Sequence, residues 1–318
     1  MHVPKNAARR PSSHAILCVM FVGMLSPALA QQQFERTYKA TAYITVLSIP
    51  IFSRSDVGYG LAMEQKRASA DEQIIRLEFL GGSNPSRAHG LNRFGYIREI
   101  VEESHNSLIK AQYTGIMTAS REESLNDAKA ALHSPSAGEQ PCVAASGELD
   151  NREARSTVWN LQLAAPRDPA LGEVMQLVNT SLGVAPNGPV RAEKRVAMTR
   201  EGTFLYSLRQ AIVSPDAVSL HPFTYNSKSY VLRTEKHRDT GAESEMNRRS
   251  LITTKSPVIR LNGTIENQRT HDRTEFSVWY QEGSPTALPL RFLFRPKSYL
   301  KLVFDAQPEE QVQKLAQP

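Results

Sequence analysis

Near the C-terminus, Leu288-Pro289-Leu290-Arg291-Phe292-Leu293-Phe294 runs into Arg295-Pro296-Lys297-Ser298 and returns as Leu300-Lys301-Leu302-Val303-Phe304. Two period-two apolar runs flanking a short polar segment that contains proline read as a β-hairpin, because alternate side chains of a strand point to opposite faces. The same alternation recurs upstream. Phe276, Val278 and Tyr280 share a face with Trp279 opposite, and Tyr38, Ala40, Ala42, Ile44 and Val46 alternate until Ile49-Pro50-Ile51 interrupts them. Ile75, Leu77 and Phe79 alternate with Arg76 and Glu78 before the turn-rich Gly81-Gly82-Ser83-Asn84-Pro85. Further strands are predicted over residues 97–101, 158–163, 193–198, 204–212, 230–235, 258–265 and 275–280. A mainly β (α+β) chain follows, with a curved antiparallel sheet or half-barrel and two or more packed helices.

Two segments carry helix signals. Ser120-Arg121-Glu122-Glu123 is a capping box, after which Leu125, Ala128 and Leu132 share a face. Asp168 is a good N-cap for a helix over residues 169–182, with Pro169 in the first turn and Leu171, Val174, Met175, Val178 and Leu182 as one apolar stripe ending at Gly183. The Ser/Ala/Gly/Pro-rich residues 133–153 and the charged residues 236–256 read as mobile loops.

The N-terminus reads as a secretory signal peptide over residues 1–30. It joins a basic stretch (Lys5, Arg9, Arg10) to an apolar run from Ala15 to Leu25, with Ala28 and Ala30 framing a cleavage site. That run ends at Ser26-Pro27, well short of the roughly 20 apolar residues a spanning helix needs, and no transmembrane segment is expected in the mature chain. A periplasmic or extracellular address follows. Residues 31–308 are left as one half-barrel-like domain or two coupled halves (31–185 and 190–308) divided at the Gly/Pro-rich 183–189, with 309–318 as a flexible tail.

Several chemistries are unsupported. The chain carries 38 Lys+Arg against 32 Asp+Glu, a net charge of +6, but three of those basic residues lie in the signal and the rest mix with acids, so no nucleic-acid partner is expected. Cys142 is the single cysteine beyond the signal, which rules out an internal disulfide and leaves a thiol in a small-residue loop with no histidine motif beside it. Gly58-Tyr59-Gly60 starts like a dinucleotide loop, but Met63 stands where the third glycine belongs. No phosphate loop, His-Glu-x-x-His or Gly-x-Ser-x-Gly occurs, so no cofactor, metal ligand or catalytic residue is assigned. His237 with Asp239 and His271 with Asp272 are sequence neighbours in polar stretches that read as solvated surface.

Aromatics supply the remaining signal. Phe276, Val278, Phe292, Phe294, Leu302 and Phe304 either fill a closed core or line an apolar groove. The ending Phe276-Ser277-Val278-Trp279-Tyr280, then Leu288-Pro289-Leu290-Arg291-Phe292 and a last strand, resembles that of an uncharacterised family of secreted bacterial proteins with the half-barrel of lipoprotein carriers. Residues 38–60, read as two strands with Val57-Gly58 between them, are similar to that family's first hairpin. The resemblance implies a curved sheet whose concave side faces helices and, by analogy with the carriers, a lipid or lipoprotein ligand. It covers about a third of the chain, leaves residues 118–189 without a counterpart, and transfers no functional residue. The leading expectation is a non-enzymatic envelope protein that binds an apolar ligand or an envelope protein partner. An envelope scaffold using an exposed strand edge and a hydrolase assembled from distant loops are its rivals. The mature N-terminus should be Gln31, which the intact mass of the exported protein reads directly; retention of residues 1–30 contradicts it.

Overall fold

The computed structural model describes residues 31–46, 49–68, 72–89, 93–105, 107–118, 139–150, 153–164, 191–196, 202–225, 228–252, 256–297 and 299–308, together with Gln176 and Thr180. Eight strands come first: β1 (Gln31–Val46), β2 (Ile49–Ala68), β3 (Glu72–Ser83), β4 (Phe94–Ser104), β5 (Ser107–Thr118), β6 (Glu139–Asp150), β7 (Glu153–Ala164) and β8 (Arg191–Val196). Helix α1 (Phe204–Val213) leads into β9 (Val218–Tyr225) and β10 (Lys228–Arg238), and α2 (Thr240–Arg248) precedes β11 (Val258–Asn267), β12 (Arg273–Gln281), β13 (Arg291–Lys297) and β14 (Leu300–Ala306).

All fourteen strands join one sheet in the order β8-β7-β6-β5-β4-β3-β2-β1-β14-β13-β12-β11-β10-β9, antiparallel at every step. The first and last strands therefore meet mid-sheet, with Tyr38 opposite Ala306 and Ile44 opposite Leu300. That ladder ties both ends of the described chain into a single sheet. The period-two reading of the chain, and of the closing hairpin above all, matches this architecture.

A sheet this wide cannot stay flat, since each strand pair adds right-handed twist. Contacts between distant strands measure the curl. Phe79 on β3 meets Phe292 on β13 with centroids 5.1 Å apart, although β2, β1 and β14 lie between them in the ladder. Tyr113 on β5 meets Tyr225 on β9 at 4.7 Å, and these strands are almost at opposite ends of the order. Glycine permits the second approach. A Cβ at Gly115 would lie 2.5 Å from the Tyr225 hydroxyl, and one at Gly147 would fall inside the Tyr113 ring.

The concave side takes α1. Tyr206 joins Ile75, Leu77, Val101, Ala111, Tyr113, Leu149 and Ala154 from β3 to β7, while Ala211 and Ile212 join Phe223, Leu232, Leu261, Val278 and Tyr280 from β9 to β12. The helix bridges the two walls. Its N-terminal amides cannot be left bare in that interior. Thr203 at the N-cap does not serve them; Glu99 of β4, itself fully buried, accepts from the amides of Leu205 and Tyr206 at 2.9 Å each and from the Thr203 hydroxyl at 2.5 Å. Farther along, Arg209 reaches Glu64 on β2 at 2.9 Å and Glu103 on β4 at 3.7 Å.

Helix α2 packs on the convex side, where Ala242 and Met246 meet Trp279, Ile252, Val258 and Leu290. Asp239 caps it through the Ala242 amide at 2.8 Å and also accepts from the Trp279 indole at 2.8 Å. That explains why Trp279 faces away from its aromatic neighbours.

Four sequence expectations need correction. Residues 204–212, expected as a strand, form α1, because Phe204, Leu208, Ala211 and Ile212 also fit helical i, i+4, i+7, i+8 spacing and Ser214-Pro215 supplies the stop. Residues 133–153, expected as a mobile loop, include β6 from Glu139 to Asp150, whose Gly147 has no side chain because the Tyr113 ring lies where one would go. Residues 236–256 carry the end of β10 and all of α2, a helix burying only Ala242 and Met246. Val57-Gly58 is not a turn but lies inside β2. The helix expected at residues 120–132 and the boundary at 183–189 fall outside the described residues, as do residues 1–30 and 309–318. Of the helix expected over 169–182, only Gln176 and Thr180 are described, both helical and exposed.

Burial pushes the Glu99 carboxyl up to about 7, against the pull of the Thr203, Leu205, Tyr206 and Phe204 hydrogen bonds. A value raised above that of the unfolded chain, about 4.3, means stability contributed by the neutral carboxyl, present below that pH and lost as pH rises through about 7. Urea titrations across this window should show wild-type stability falling relative to Glu99→Gln as pH rises; parallel profiles would refute the assignment.

Candidate functional site

Register on β12, β13, β14 and β1 places one row of inward side chains from strand to strand. Phe276 pairs with Phe294, Phe294 with Leu302 and Leu302 with Ala42. One step along the strands, Val278 pairs with Phe292, Phe292 with Phe304 and Phe304 with Ala40. The six residues singled out in the sequence thus occupy one continuous face. Rings within it are packed: Phe292 stacks on Phe304 at 4.3 Å and meets Tyr38 edge-on at 5.1 Å.

This face does not close on the opposite wall. A cavity of about 1220 Å³ separates them, larger than the roughly 300–1,000 Å³ that takes a drug-sized ligand. Phe276, Val278, Phe292, Phe294, Leu302 and Phe304 all line it, facing Leu77, Phe79 and Ile97 of the other wall, with Phe204, Leu205, Leu208 and Ile212 of α1 as its floor. Gly95 also borders it, and a Cβ built there would meet nothing nearer than the Met117 Cβ at 3.9 Å.

The deep end is sealed by polar contacts from the β12–β13 connection. Arg36 donates to the Leu288 carbonyl at 2.6 Å, Tyr38 to that of Pro289 at 2.8 Å and Lys66 to that of Pro285 at 2.8 Å. Glu64 accepts from the Thr286 hydroxyl at 2.6 Å and the Ala287 amide at 2.8 Å. Burial alone would raise this carboxyl, but those bonds, Arg209 and Lys66 together hold it below its ordinary value, so it stays ionised. The other end is open: Ile51, Phe52 and Met117 line the cavity yet are 64%, 56% and 58% exposed.

The two His/Asp sequence neighbours, read as solvated surface, do not pair with each other. His237 pairs with Glu235 at 3.2 Å while Asp239 is engaged by α2 and Trp279, and His271 turns to Glu266 at 3.2 Å while Asp272 accepts from Thr270. Cys142 is not in a loop but buried in β6, where burial pushes its thiol up to about 11, away from a reactive thiolate. Among the described residues no cluster of His, Cys, Asp and Glu is disposed to hold a metal, and no helix is long and apolar enough to cross a membrane.

Sequence reasoning missed the interior carboxylates Glu64, Glu99 and Glu103 and the cavity-lining basic residues Arg54, Arg87 and His89. A partial signal existed for Glu64, which shares strand parity with Gly60 and Ala62 on an otherwise apolar face.

No family model matches this chain, and no curated protein matches it. Among solved structures it is similar to a β-barrel-like protein of the domain of unknown function DUF1849 from Brucella abortus, at 7% sequence identity and a TM-score of 0.45, over 87% of this chain and 95% of that one. That protein belongs to an uncharacterised β-barrel-like type, and no likeness to lipoprotein carriers accompanies the match.

Proposed function

We propose that the protein is a non-enzymatic periplasmic or secreted binding protein whose cavity takes an apolar, lipid-like ligand. The observation that carries this reading is a cavity of about 1220 Å³ walled by aromatic and aliphatic side chains from both halves of the sheet and floored by α1. An apolar ligand filling this cavity would bury its lining and gain contacts with both walls and α1. The lipoprotein carriers suggest the same class of ligand by resemblance. The export signal read over residues 1–30 suggests the compartment.

A second reading, an envelope scaffold, draws on β9. This edge strand leaves Val218 and Leu220 at 60% and 56% exposure, alternating with half-buried Ser219 and His221, as a strand available for pairing would.

A fatty-acid-like fluorescent probe should bind the native protein saturably and be displaced by a phospholipid. Gly95→Leu fills open cavity space and should weaken the probe by about tenfold or more while leaving the thermal transition in place. Phe294→Ser, at a position 37% exposed, should cost about 1–2 kcal/mol of binding without unfolding the chain. Uptake only during unfolding, or a probe indifferent to Gly95→Leu, would remove the carrier reading and leave the scaffold.

A further inference from the structure

We infer that the cavity's ligand is an amphiphile with an anionic head group, a carboxylate or phosphate, seated at the open mouth by Arg54, Arg87 and His89. The inference rests on the cavity reading above and specifies its ligand. Arg54 lies on β2 opposite Ala42, within the inward-facing row, and its guanidinium stands against the His89 ring. Arg87 and His89 come from the β3–β4 connection, exposed but lining the same cavity, and His89 is held there at a positive φ of 54°.

Charge around the cavity is one-sided at this end. The two carboxylates in the lining are engaged elsewhere: Glu64 with Arg209 and Lys66, and Glu78 with Arg76 and the Tyr96 hydroxyl. Among the described residues neither Arg54 nor Arg87 has a carboxylate partner, and Arg54 has only an imidazole beside it. Two guanidiniums around one opening repel each other, and an anion between them relieves that repulsion with charge-assisted hydrogen bonds. Ile51, Phe52 and Met117 surround the same opening with exposed apolar surface. Basic groups at the entrance and an apolar bore behind match a molecule with a charged head and a hydrocarbon tail. A free inorganic anion would leave the bore empty.

The test compares parinaric acid with its uncharged methyl ester, which keeps the same tail, by saturation fluorescence on the mature chain. The wild type should hold the acid about tenfold more tightly than the ester. That ratio should fall toward one in Arg54→Gln/Arg87→Gln, persist in Arg54→Lys/Arg87→Lys, and be unmoved by inorganic phosphate as competitor. Equal binding of acid and ester by the wild type overturns the anionic head while sparing the cavity. So does a ratio that survives the glutamine pair. Displacement of the acid by phosphate overturns the amphiphile in favour of a small-anion site. Failure of both probes to bind removes the cavity reading itself.

Discussion

The carboxylate of Glu99 at the buried N-terminus of α1 is the contact on which the interior depends. A sheet wrapped around its own concave face must bury something there, and what it buries is a helix that brings unsatisfied amides with it. Glu99 accepts from two of those amides and from Thr203. Arg209, in the middle of the helix, then ties it to Glu64 and Glu103. Without Arg209, Glu64 would keep Lys66, Thr286 and the Ala287 amide, but the ties from α1 to β2 and β4 would be lost. With α1 pinned and the β12–β13 connection stitched to β1 and β2, one end of the interior is closed. Space remains only toward the opposite end.

The two carboxylates illustrate how partners decide charge at similar depth. Glu64 receives Arg209, Lys66, Thr286 and the Ala287 amide and stays ionised; Glu99 receives neutral donors alone, and burial prevails. The ionised group serves the clamp, where a cation faces it. The group that shifts toward neutrality serves the cap, where the helix dipole offers only partial charge.

Legibility in the sequence followed the range of the interactions. The hairpin of Phe292–Phe294 with Leu300–Phe304 was plain because strand parity is a local property, and parity also placed Phe276, Val278, Phe292, Phe294, Leu302 and Phe304 on one face. Whether that face met a filled core or a void was not local, because it depends on how far β3 and β4 stand from β13 after the sheet curls. Helix α1 was misread since Phe204, Tyr206 and Leu208 alternate as in a strand while Phe204, Leu208, Ala211 and Ile212 keep helical spacing. β6 looked like a loop because its alanines and glycine lack bulk, and the reason for the glycine at 147, the Tyr113 ring, sits on another strand. Glu64 and Glu99 were unremarkable in composition, and their burial follows from tertiary closure. Arg54, Arg87 and His89 come together from a strand and a separate connection, so no spacing in the sequence could announce them.

An apolar bore with one sealed end and one open, cation-lined end is the arrangement that the wrapped sheet, the clamped helix and the stitched connection produce jointly. The most direct measurement is native mass spectrometry of protein purified gently from the cells that make it. A bound species of lipid mass at one copy per chain, lost on Gly95→Leu, is the result expected. A clean mass of the bare chain in both proteins, with lipid present in the extract, would contradict it.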